Sequence, residues 1–197
     1  AQATGKPAAF AVVPGPGLLN AGAALCTADG TNQPVLCLTG QIMSAFLGKG
    51  RGHLHELRDQ QGYLRSIIKH VDHIADPTNA STQINEAFRQ MLSGRPGPAS
   101  VEMCWDTMAR QAPVVDGEYV LPQRDGITDP STIAAAVALL KSSRCPMIMV
   151  GSGAQHAGAE VLELAEMLDA PVTAFRSGRG IVSADHPLSV SSVAAYE

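Results

Sequence analysis

Aromatic residues are scarce in this sequence, and long apolar runs are absent. Phe, Trp and Tyr make up 4% of the 197 residues, whereas hydrophobic residues as a group make up 45%. A core must therefore be built from Ala, Val, Leu, Ile and Met, which suits helices packed closely against a sheet. No apolar run approaches the ~18–20 residues that span a bilayer, and residues 1–6 show no signal-peptide pattern. The sequence therefore predicts a cytoplasmic protein without a membrane partner.

Clustered basic charge and closely spaced cysteines are also missing. Charged residues make up 16% of the chain, and the formal net charge is −4. Basic residues are spread along the sequence, and the short stretch Lys49-Gly50-Arg51 is too small for a nucleic-acid footprint and has no interleaved aromatic residues, so no nucleic-acid partner is expected. Four cysteines (Cys26, Cys37, Cys104 and Cys145) lie far apart, without a C-x-x-C pair. This spacing favours free, buried thiols over disulfides or metal ligands.

The first half of the chain alternates apolar runs of strand length with helical patterns. Strands are predicted at 8–13, 35–38 and 99–104, with another beginning at 67–68, and helices at 18–28 and 77–92. The first two strands are almost continuously apolar. Such runs favour a parallel sheet that is covered on both faces.

The second half repeats this alternation after residues 106–127, which carry several Pro, Asp and Gly residues and predict an interdomain linker. Asp129-Pro130 predicts a helix start, because a carboxylate caps a helix and proline suits its first position. A strand at 146–150, a helix at 157–168 and a strand at 171–174 follow. The predicted fold class is α/β, with two partial Rossmann-like three-layer domains that have mainly parallel sheets.

Two glycine-containing turns connect a predicted strand to a predicted helix, Gly15-Pro16-Gly17 and Gly151-Ser152-Gly153. Glycine lets the backbone turn sharply and approach a ligand, and the N–H groups at a helix N-terminus attract anions. The second turn could hold a diphosphate in this way. Either turn could equally be purely structural, since neither completes a G-x-G-x-x-G pattern or a P-loop.

A polar segment in the first half carries His53, His55 and Glu56 as H-x-H-E. Two histidines at this spacing share one face of a strand and could bind zinc, but no further ligand recurs nearby. The flanking residues are typical of a loop, so a polar loop lining a cleft is the better interpretation. Cys104 at a predicted strand end has no base beside it, so packing is favoured over a nucleophilic role.

Several short motifs follow one another in a definite order: Thr-Gly-Lys-Pro at 4–7, Pro-Gly-Pro-Gly-Leu-Leu-Asn at 14–20, Thr-Gly-Gln at 39–41 and Ser-Gly-Arg-Pro-Gly-Pro at 93–98. This order resembles the acetolactate synthase branch of the thiamine-diphosphate-dependent enzymes. Past the predicted linker, residues 146–153 and 178–187 resemble the middle domain of that family. The resemblance covers essentially the whole chain.

Members of that family have three similar α/β domains, which bind the aminopyrimidine, form the middle, and bind the diphosphate through Mg²⁺. The resemblance implies that residues 1–105 are the C-terminal part of the pyrimidine-binding domain, 106–127 a linker, and 128–197 the N-terminal part of the middle domain. The family's catalytic Glu would precede residue 1 and its Mg²⁺ motif would follow residue 197. The chain is therefore expected to be a fragment that is inactive alone, with no catalytic or metal-binding residue of its own.

The resemblance also assigns cofactor-binding roles to seven residues: Pro16, Asn20, His55, Arg95, Gly151, Ser152 and Gly153. Pro16 and Asn20 would line the pyrimidine side, and His55 stands where acetolactate synthases carry a Gln that contacts the cofactor. Arg95 matches an arginine that reaches FAD or ADP in nucleotide-binding members, and residues 151–153 match their diphosphate turn. Other members keep both elements without binding a nucleotide, so Arg95 could instead form a structural salt bridge.

The intact enzyme implied by the resemblance is a thiamine-diphosphate-dependent 2-oxo-acid decarboxylase or carboligase, that is, a lyase or transferase. Its substrate would be a small 2-oxo acid or a 2-oxoacyl thioester, and a homodimer or tetramer is implied because the family's cofactor site forms between subunits. One alternative is a non-catalytic module that holds an adenine nucleotide through Arg95 and residues 151–153. A structural remnant that binds nothing is the other.

Overall fold

The computed structural model of the chain describes residues 1–114, 119 and 129–190. The chain divides into two compact units, Ala1–Asp125 and Gly126–Glu197. Each unit has its own parallel strands and its own hydrophobic core. Most of the predicted linker, at 115–118 and 120–127, lies outside the described residues. In the described part, no helix has the length and apolarity needed to cross a membrane.

The first unit contains a four-stranded sheet in which every pairing is parallel. Its strands are β1 (Ala8–Val12), β2 (Val35–Gln41), β3 (His70–Ile74) and β4 (Ala99–Cys104), in the spatial order β1-β2-β4-β3. Its helices are α1 (Pro16–Gly30), α2 (Gln60–Arg65), α3 (Ala80–Leu92) and the single turn α4 (Trp105–Met108). The predicted α/β class with parallel strands is confirmed.

Helices cover both faces of this sheet, because successive residues of a strand point to opposite sides. On β2, Leu36 packs in a cluster with Met91 of α3, whereas the next residue, Cys37, packs with Leu18 of α1 and Leu64 of α2. All five side chains are at most 2% exposed. Burial of each large apolar side chain such as leucine or methionine stabilises the folded state by ~1.5–3 kcal/mol. The three-layer arrangement predicted from the sequence is present in this unit.

Helix α1 begins two residues before its predicted start at Leu18. Pro16 lies in the first turn, where its missing N–H leaves no hydrogen bond unmade. Further along the buried side of α1, a Cβ on Gly22 would lie 1.7 Å from the hydroxyl oxygen of Tyr63 on α2. The close packing of α1 against α2 therefore requires glycine at this position.

Two short segments of the first unit differ from the sequence expectations. The strand predicted to begin at Ile67 begins at His70, while Ile67 and Ile68 lie in the turn that follows α2. Ile68 is nevertheless buried in the core on the α1 side. Ile68 is apolar because this turn is buried against the core. A short buried turn and a short buried strand cannot be distinguished by the periodicity of apolar residues. The other difference is the helical turn α4, which starts at Trp105.

The second unit is built from α5 (Pro130–Ser142), β5 (Ile148–Val150), α6 (Gly158–Leu168) and β6 (Val172–Ala174), with β5 and β6 parallel. The side chain of Asp129 accepts a hydrogen bond from the backbone N–H of Ser131 at 3.0 Å, so the predicted helix cap is confirmed. Helix α6 packs on the strands through Ala165, which joins Val150 and Val172 in one cluster. Helix α5 buries no residue.

All four cysteines are free, but only two of them are buried. Burial raises the pKa of the Cys37 thiol to about 11, which keeps it protonated and unreactive. The prediction of buried thiols is wrong for Cys26 and Cys145, which are exposed. Cys26 follows Leu25 on α1, and the helical turn of about 100° per residue carries it away from the buried face. The apolar residues around Cys26 therefore led to a wrong prediction of its burial.

Candidate functional site

The turn from β1 to α1 lies at the edge of the first sheet where its strands end. Gly15 has φ of 64° and ψ of −118° and caps α1. A Cβ at Gly15 would lie 2.7 Å from the carbonyl oxygen of His55, so both the backbone conformation and the packing require glycine. Carboxyl-end edges of parallel sheets are where ligands bind in open α/β folds. This turn is accordingly the first candidate for a binding site.

The structure brings His55 against the turn that carries Pro16. His55 itself has φ of 71°, an uncommon conformation for a residue with a side chain. Its ring meets the ring of Trp105 edge-on, with centroids 6.3 Å apart. Nδ1 of His55 is buried and has no hydrogen-bond partner among the described residues. Pro16 and Asn20 are exposed one helical turn apart at the start of α1.

The conformation of the loop before His55 is set by Glu56. Its carboxylate accepts a hydrogen bond from the His53 backbone N–H at 2.8 Å. That bond, together with weaker ones from the amides of residues 50–52, lowers the pKa of Glu56 against a small opposing effect of burial. Within the described part of the chain, no group of three or more His, Cys, Asp or Glu residues could hold a metal ion. Glu56 thus acts here as an acceptor for its own loop.

Beneath this loop lies a buried carboxylate that the sequence analysis did not identify, Glu102 on β4. The side chain of Glu102 is 3% exposed. It accepts hydrogen bonds from Gln60 at 2.7 Å, from Gln61 at 2.9 Å and from Nδ1 of His73 at 2.9 Å. Burial works to raise the pKa of Glu102, but these bonds outweigh it and leave the pKa below its ordinary value. A charged residue inside an otherwise apolar strand was the signal that could have revealed it.

An apolar groove of about 430 Å³ runs beside the β1–α1 turn. Its lining includes Val12, Pro14, Gly40, Trp105 and Met108. Trp105 is 47% exposed and Met108 51% exposed, although both are large apolar side chains. Burial raises the pKa of the neighbouring Cys104 to about 11, so the predicted packing role of that thiol agrees with its surroundings.

Arg95 lies at the opposite edge of the same sheet, just before β4, and not with Pro16 or His55. Its guanidinium Nε donates a hydrogen bond to Oδ1 of Asn32. Among the described residues it forms no ion pair. A cavity of about 430 Å³ opens here, lined by Arg95 together with Arg65 and Lys69.

In the second unit, Gly151 ends β5, and Ser152 begins a short 3-10 helix, Ser152–Ala154. A Cβ built on Gly151 or Gly153 would meet nothing within 4 Å. The turn is therefore open, and neither glycine is required there by local packing. Both residues keep backbone angles outside the left-handed region.

Comparison with known proteins places these features in a family. Residues 1–63 match the N-terminal TPP binding domain of the thiamine pyrophosphate enzymes. Residues 133–196 match the central domain of the same enzymes. The chain belongs to the thiamine pyrophosphate enzyme family. Pro16, Asn20 and His55 fall within the first match and residues 151–153 within the second, whereas Arg95 lies between the two.

Individual relatives of this thiamine pyrophosphate enzyme chain agree with that assignment. It is 33% identical over 200 residues to an acetolactate synthase of Arthrospira platensis, covering 98% of this chain and 34% of the relative. It is also 33% identical over 195 residues to a probable 2-ketoarginine decarboxylase of Pseudomonas aeruginosa, again covering 98% and 34%. The chain thus spans about a third of the length of these curated relatives.

A solved structure shows the same fold. The crystal structure of a benzoylformate decarboxylase from Polynucleobacter necessarius superposes with a TM-score of 0.87 at 24% identity. The match covers 97% of this chain and 36% of the decarboxylase chain. At this level of identity the likeness establishes the arrangement of strands and helices, and the fold of this thiamine pyrophosphate enzyme chain is thereby confirmed.

Proposed function

We propose that this chain forms the pyrimidine side of the thiamine diphosphate site in a 2-oxo-acid decarboxylase or carboligase, with Pro16, Asn20 and His55 lining it. The observation that carries the proposal is the contact between His55 and Gly15 at the carboxyl-end edge of the first sheet. The two relatives named above are an acetolactate synthase and a probable 2-ketoarginine decarboxylase, which supports this class of reaction.

The residues at this edge fit such a ligand in one specific respect. Nδ1 of His55 is buried without a partner within the described residues, and leaving a buried polar atom unpaired costs ~1–3 kcal/mol. A polar group on the pyrimidine ring would supply the missing partner. The exposed start of α1 adds Asn20, whose amide can both donate and accept. These residues would bind and orient the pyrimidine ring. Thiamine diphosphate, when bound, supplies the electron sink that decarboxylation of a 2-oxo acid needs.

The wider features of the protein follow from the same proposal. Residues 1–105 would be the C-terminal part of the pyrimidine-binding domain and 128–197 the N-terminal part of the middle domain, joined by a linker at 106–127. The substrate would be a small 2-oxo acid or a 2-oxoacyl thioester, and Mg²⁺ would accompany the diphosphate. A cytoplasmic location and a homodimer or tetramer stay predictions.

Isothermal titration of the intact enzyme that contains this chain with thiamine diphosphate and Mg²⁺ tests the proposal, because the diphosphate and Mg²⁺ are expected to be held outside these residues. Asn20→Ala and His55→Ala are each expected to weaken binding about fivefold or more, because each removes a polar contact worth ~1 kcal/mol. Asn79→Ala and His156→Ala, both exposed and remote from the turn along the chain, are matched controls that should bind like the wild type. Binding that is the same in all four variants would contradict the assignment of these side chains.

A second candidate function is an adenine-nucleotide site, favoured by the cationic cavity at Arg95. Two arginines and a lysine line this cavity against one carboxylate, Asp29, and the excess of positive charge suits a phosphate group, which Arg binds through its planar, forked donors. FAD or ADP would be the ligand, and the open Gly151-Ser152-Gly153 turn is a separate candidate for contacting a diphosphate. Titration with ADP and FAD should show binding that is lost in Arg95→Ala and retained in the exposed control Arg144→Ala. Equal binding by both variants would exclude a role for Arg95.

A further inference from the structure

One glutamine connects three elements at the carboxyl-end edge of the first sheet. Gln60 begins α2, yet it is only 2% exposed. Its Oε1 accepts a hydrogen bond from the Gly15 N–H at 3.3 Å. Its Nε2 donates to the carbonyl oxygen of Gly40 at 3.0 Å and to Glu102 at 2.7 Å. A single side chain thereby joins the β1–α1 turn, the end of β2 and the middle of β4.

The surroundings of Gln60 determine which way its amide points. A backbone carbonyl and a carboxylate can only accept hydrogen bonds. Gln60 must therefore turn its NH₂ group toward Gly40 and Glu102, which leaves its oxygen for the N–H of Gly15. Glu102 is held in place by Gln61 and His73, both at 2.9 Å. The direction of the Gln60 amide is consequently fixed by its partners.

Gly15 is restrained from two sides. The carbonyl oxygen of His55 lies 2.7 Å from the position that a Cβ on Gly15 would take. On the other side, Oε1 of Gln60 accepts a hydrogen bond from the Gly15 N–H. The residue that follows is Pro16, whose ring further restricts the backbone. We propose that Gln60 is a positioning residue, which sets the direction of the β1–α1 turn and so presents Pro16 and the start of α1 to the pyrimidine of thiamine diphosphate. This inference rests on the function proposed above for the same turn.

The physical benefit of such a residue is preorganisation. A turn that is already ordered loses little conformational freedom when a ligand binds, so more of the contact energy appears as affinity. Without Gln60, the Gly15 N–H would lose its acceptor. The turn would then sample other conformations, and the ligand would have to order it.

Gln61 offers a matched control within the same network. It donates to Glu102 at 2.9 Å, like its neighbour, but no contact with Gly15 or Gly40 is among its hydrogen bonds in the described residues. Gln60→Met and Gln61→Met remove the same functional group, keep a similar side-chain volume, and both take one donor from Glu102. Only the first also removes the acceptor of the Gly15 N–H.

The experiment measures amide hydrogen exchange at Gly15 by NMR on the chain without ligand, and then thiamine diphosphate affinity by titration of the intact enzyme that contains the chain. In Gln60→Met, exchange at Gly15 should be about fivefold faster than in the wild type, and affinity about fivefold weaker, as expected for one lost hydrogen bond. In Gln61→Met, both quantities should stay at the wild-type value. If Gln60→Met does not fold, Gln60→Asn keeps the amide but is one methylene too short for all three partners, and the same changes are expected.

Three results would count against these conclusions in distinguishable ways. Equal exchange at Gly15 in the Gln60 and Gln61 variants would overturn the restraint on the turn. Faster exchange with unchanged thiamine diphosphate affinity would overturn the positioning role. An intact wild-type enzyme that binds no thiamine diphosphate would contradict the proposed function, and the positioning role would fall with it, although exchange at Gly15 would still report whether Gln60 holds the turn.

Discussion

The two edges of the first sheet are organised in opposite ways. At the carboxyl-end edge, Gly15, Gln60 and Glu102 form a buried hydrogen-bonded network in which neighbouring groups fix each conformation. At the opposite edge, Arg95 is exposed beside an open cavity. Lys69 there donates to the carbonyl oxygens of Ser93 at 2.6 Å and Arg95 at 2.9 Å, so it ties down backbone at the cavity wall.

Under the two functions proposed above, one sheet would support two kinds of recognition. A buried network resists rearrangement, because any group that loses its partner there costs a full desolvation penalty. Exposed guanidinium groups can move and be hydrated, so they adapt to a ligand at little cost. The first edge is suited to holding a rigid ring in one orientation, and the second to attracting an anion.

The largest expected effect comes from removing the buried carboxylate. Glu102→Ala should lower the free energy of unfolding by ~2–4 kcal/mol, because the buried Gln60 and the half-buried Gln61 and His73 lose the carboxylate that accepts from them. Asp29→Ala at the other edge should cost ~1 kcal/mol or less, because Asp29 is a half-buried carboxylate that attracts the Lys69 ammonium. Urea unfolding followed by the fluorescence of Trp105, the single tryptophan, reports on the first unit. Equal losses in both variants would remove the contrast between the edges.

Alanine substitutions at two glycines, one at each edge, should give the next largest difference in stability. Gly15→Ala should destabilise the first unit by ~2–3 kcal/mol, because φ is 64° and the new Cβ would lie 2.7 Å from the His55 carbonyl oxygen. Gly94→Ala, beside Arg95, has φ of 55° but open space around the new atom, so only the strain of about 1 kcal/mol is expected. The same unfolding measurement compares them. A cost at Gly94 as large as that at Gly15 would show that backbone strain outweighs packing.

Most helices and strands could be predicted from the sequence, because apolar runs and helix-start residues are local features. Strand β1 is continuously apolar, and Asp129-Pro130 predicted the start of α5, whereas α1 begins at Pro16, two residues before its predicted start. The burial of individual residues was harder, as Cys26 shows, because a helix turns one apolar residue inward and its neighbour outward. Ile67 was misassigned because an apolar pair is too short to display a period.

The candidate site was only partly predictable from the sequence. Pro16 and His55 were singled out through the family resemblance, and the close approach of His55 to Gly15 explains why they meet. The network behind them was missed because Gln60 and Glu102 are 42 residues apart along the chain and meet only once β4 is placed. A lone charge in a buried strand is a usable signal for such networks. Arg95 was singled out too, but it precedes a strand whereas Pro16 follows one, so a parallel sheet places them at opposite edges.

The pH dependence of stability tests the carboxyl-end network with a smaller effect. The hydrogen bond to Glu102 raises the pKa of His73 above 6.5, against burial, with help from the charges of Glu102 and Asp72. A raised pKa gives stability that is fully present below about pH 6.5 and is lost as pH rises through the folded value. The lowered pKa of Glu102 gives stability that is lost only as pH falls below about 4.5. The pair should therefore contribute most between about pH 4.5 and 6.5.

The matching variant is His73→Gln, which keeps a neutral donor and removes the titration. The wild type should exceed it by ~0.5–1 kcal/mol near pH 6, and this difference should shrink by pH 8.5. Urea unfolding at both pH values supplies the comparison, with His156→Gln as a control for an exposed histidine. A difference that grows with pH would have the wrong sign for a histidine held by a carboxylate.

The smallest effect is expected at the opposite edge. Arg95→Ala removes an exposed side chain whose recorded partner is the amide oxygen of Asn32, so the free energy of unfolding should change by less than ~0.5 kcal/mol. Because Lys69 contacts the backbone carbonyl of residue 95 and not its side chain, the cavity wall should survive the substitution. Thermal unfolding of the variant beside the wild type measures this. A loss above ~1 kcal/mol would mean that Arg95 is part of the structure of this edge, and the contrast between an ordered edge and an adaptable one would no longer hold.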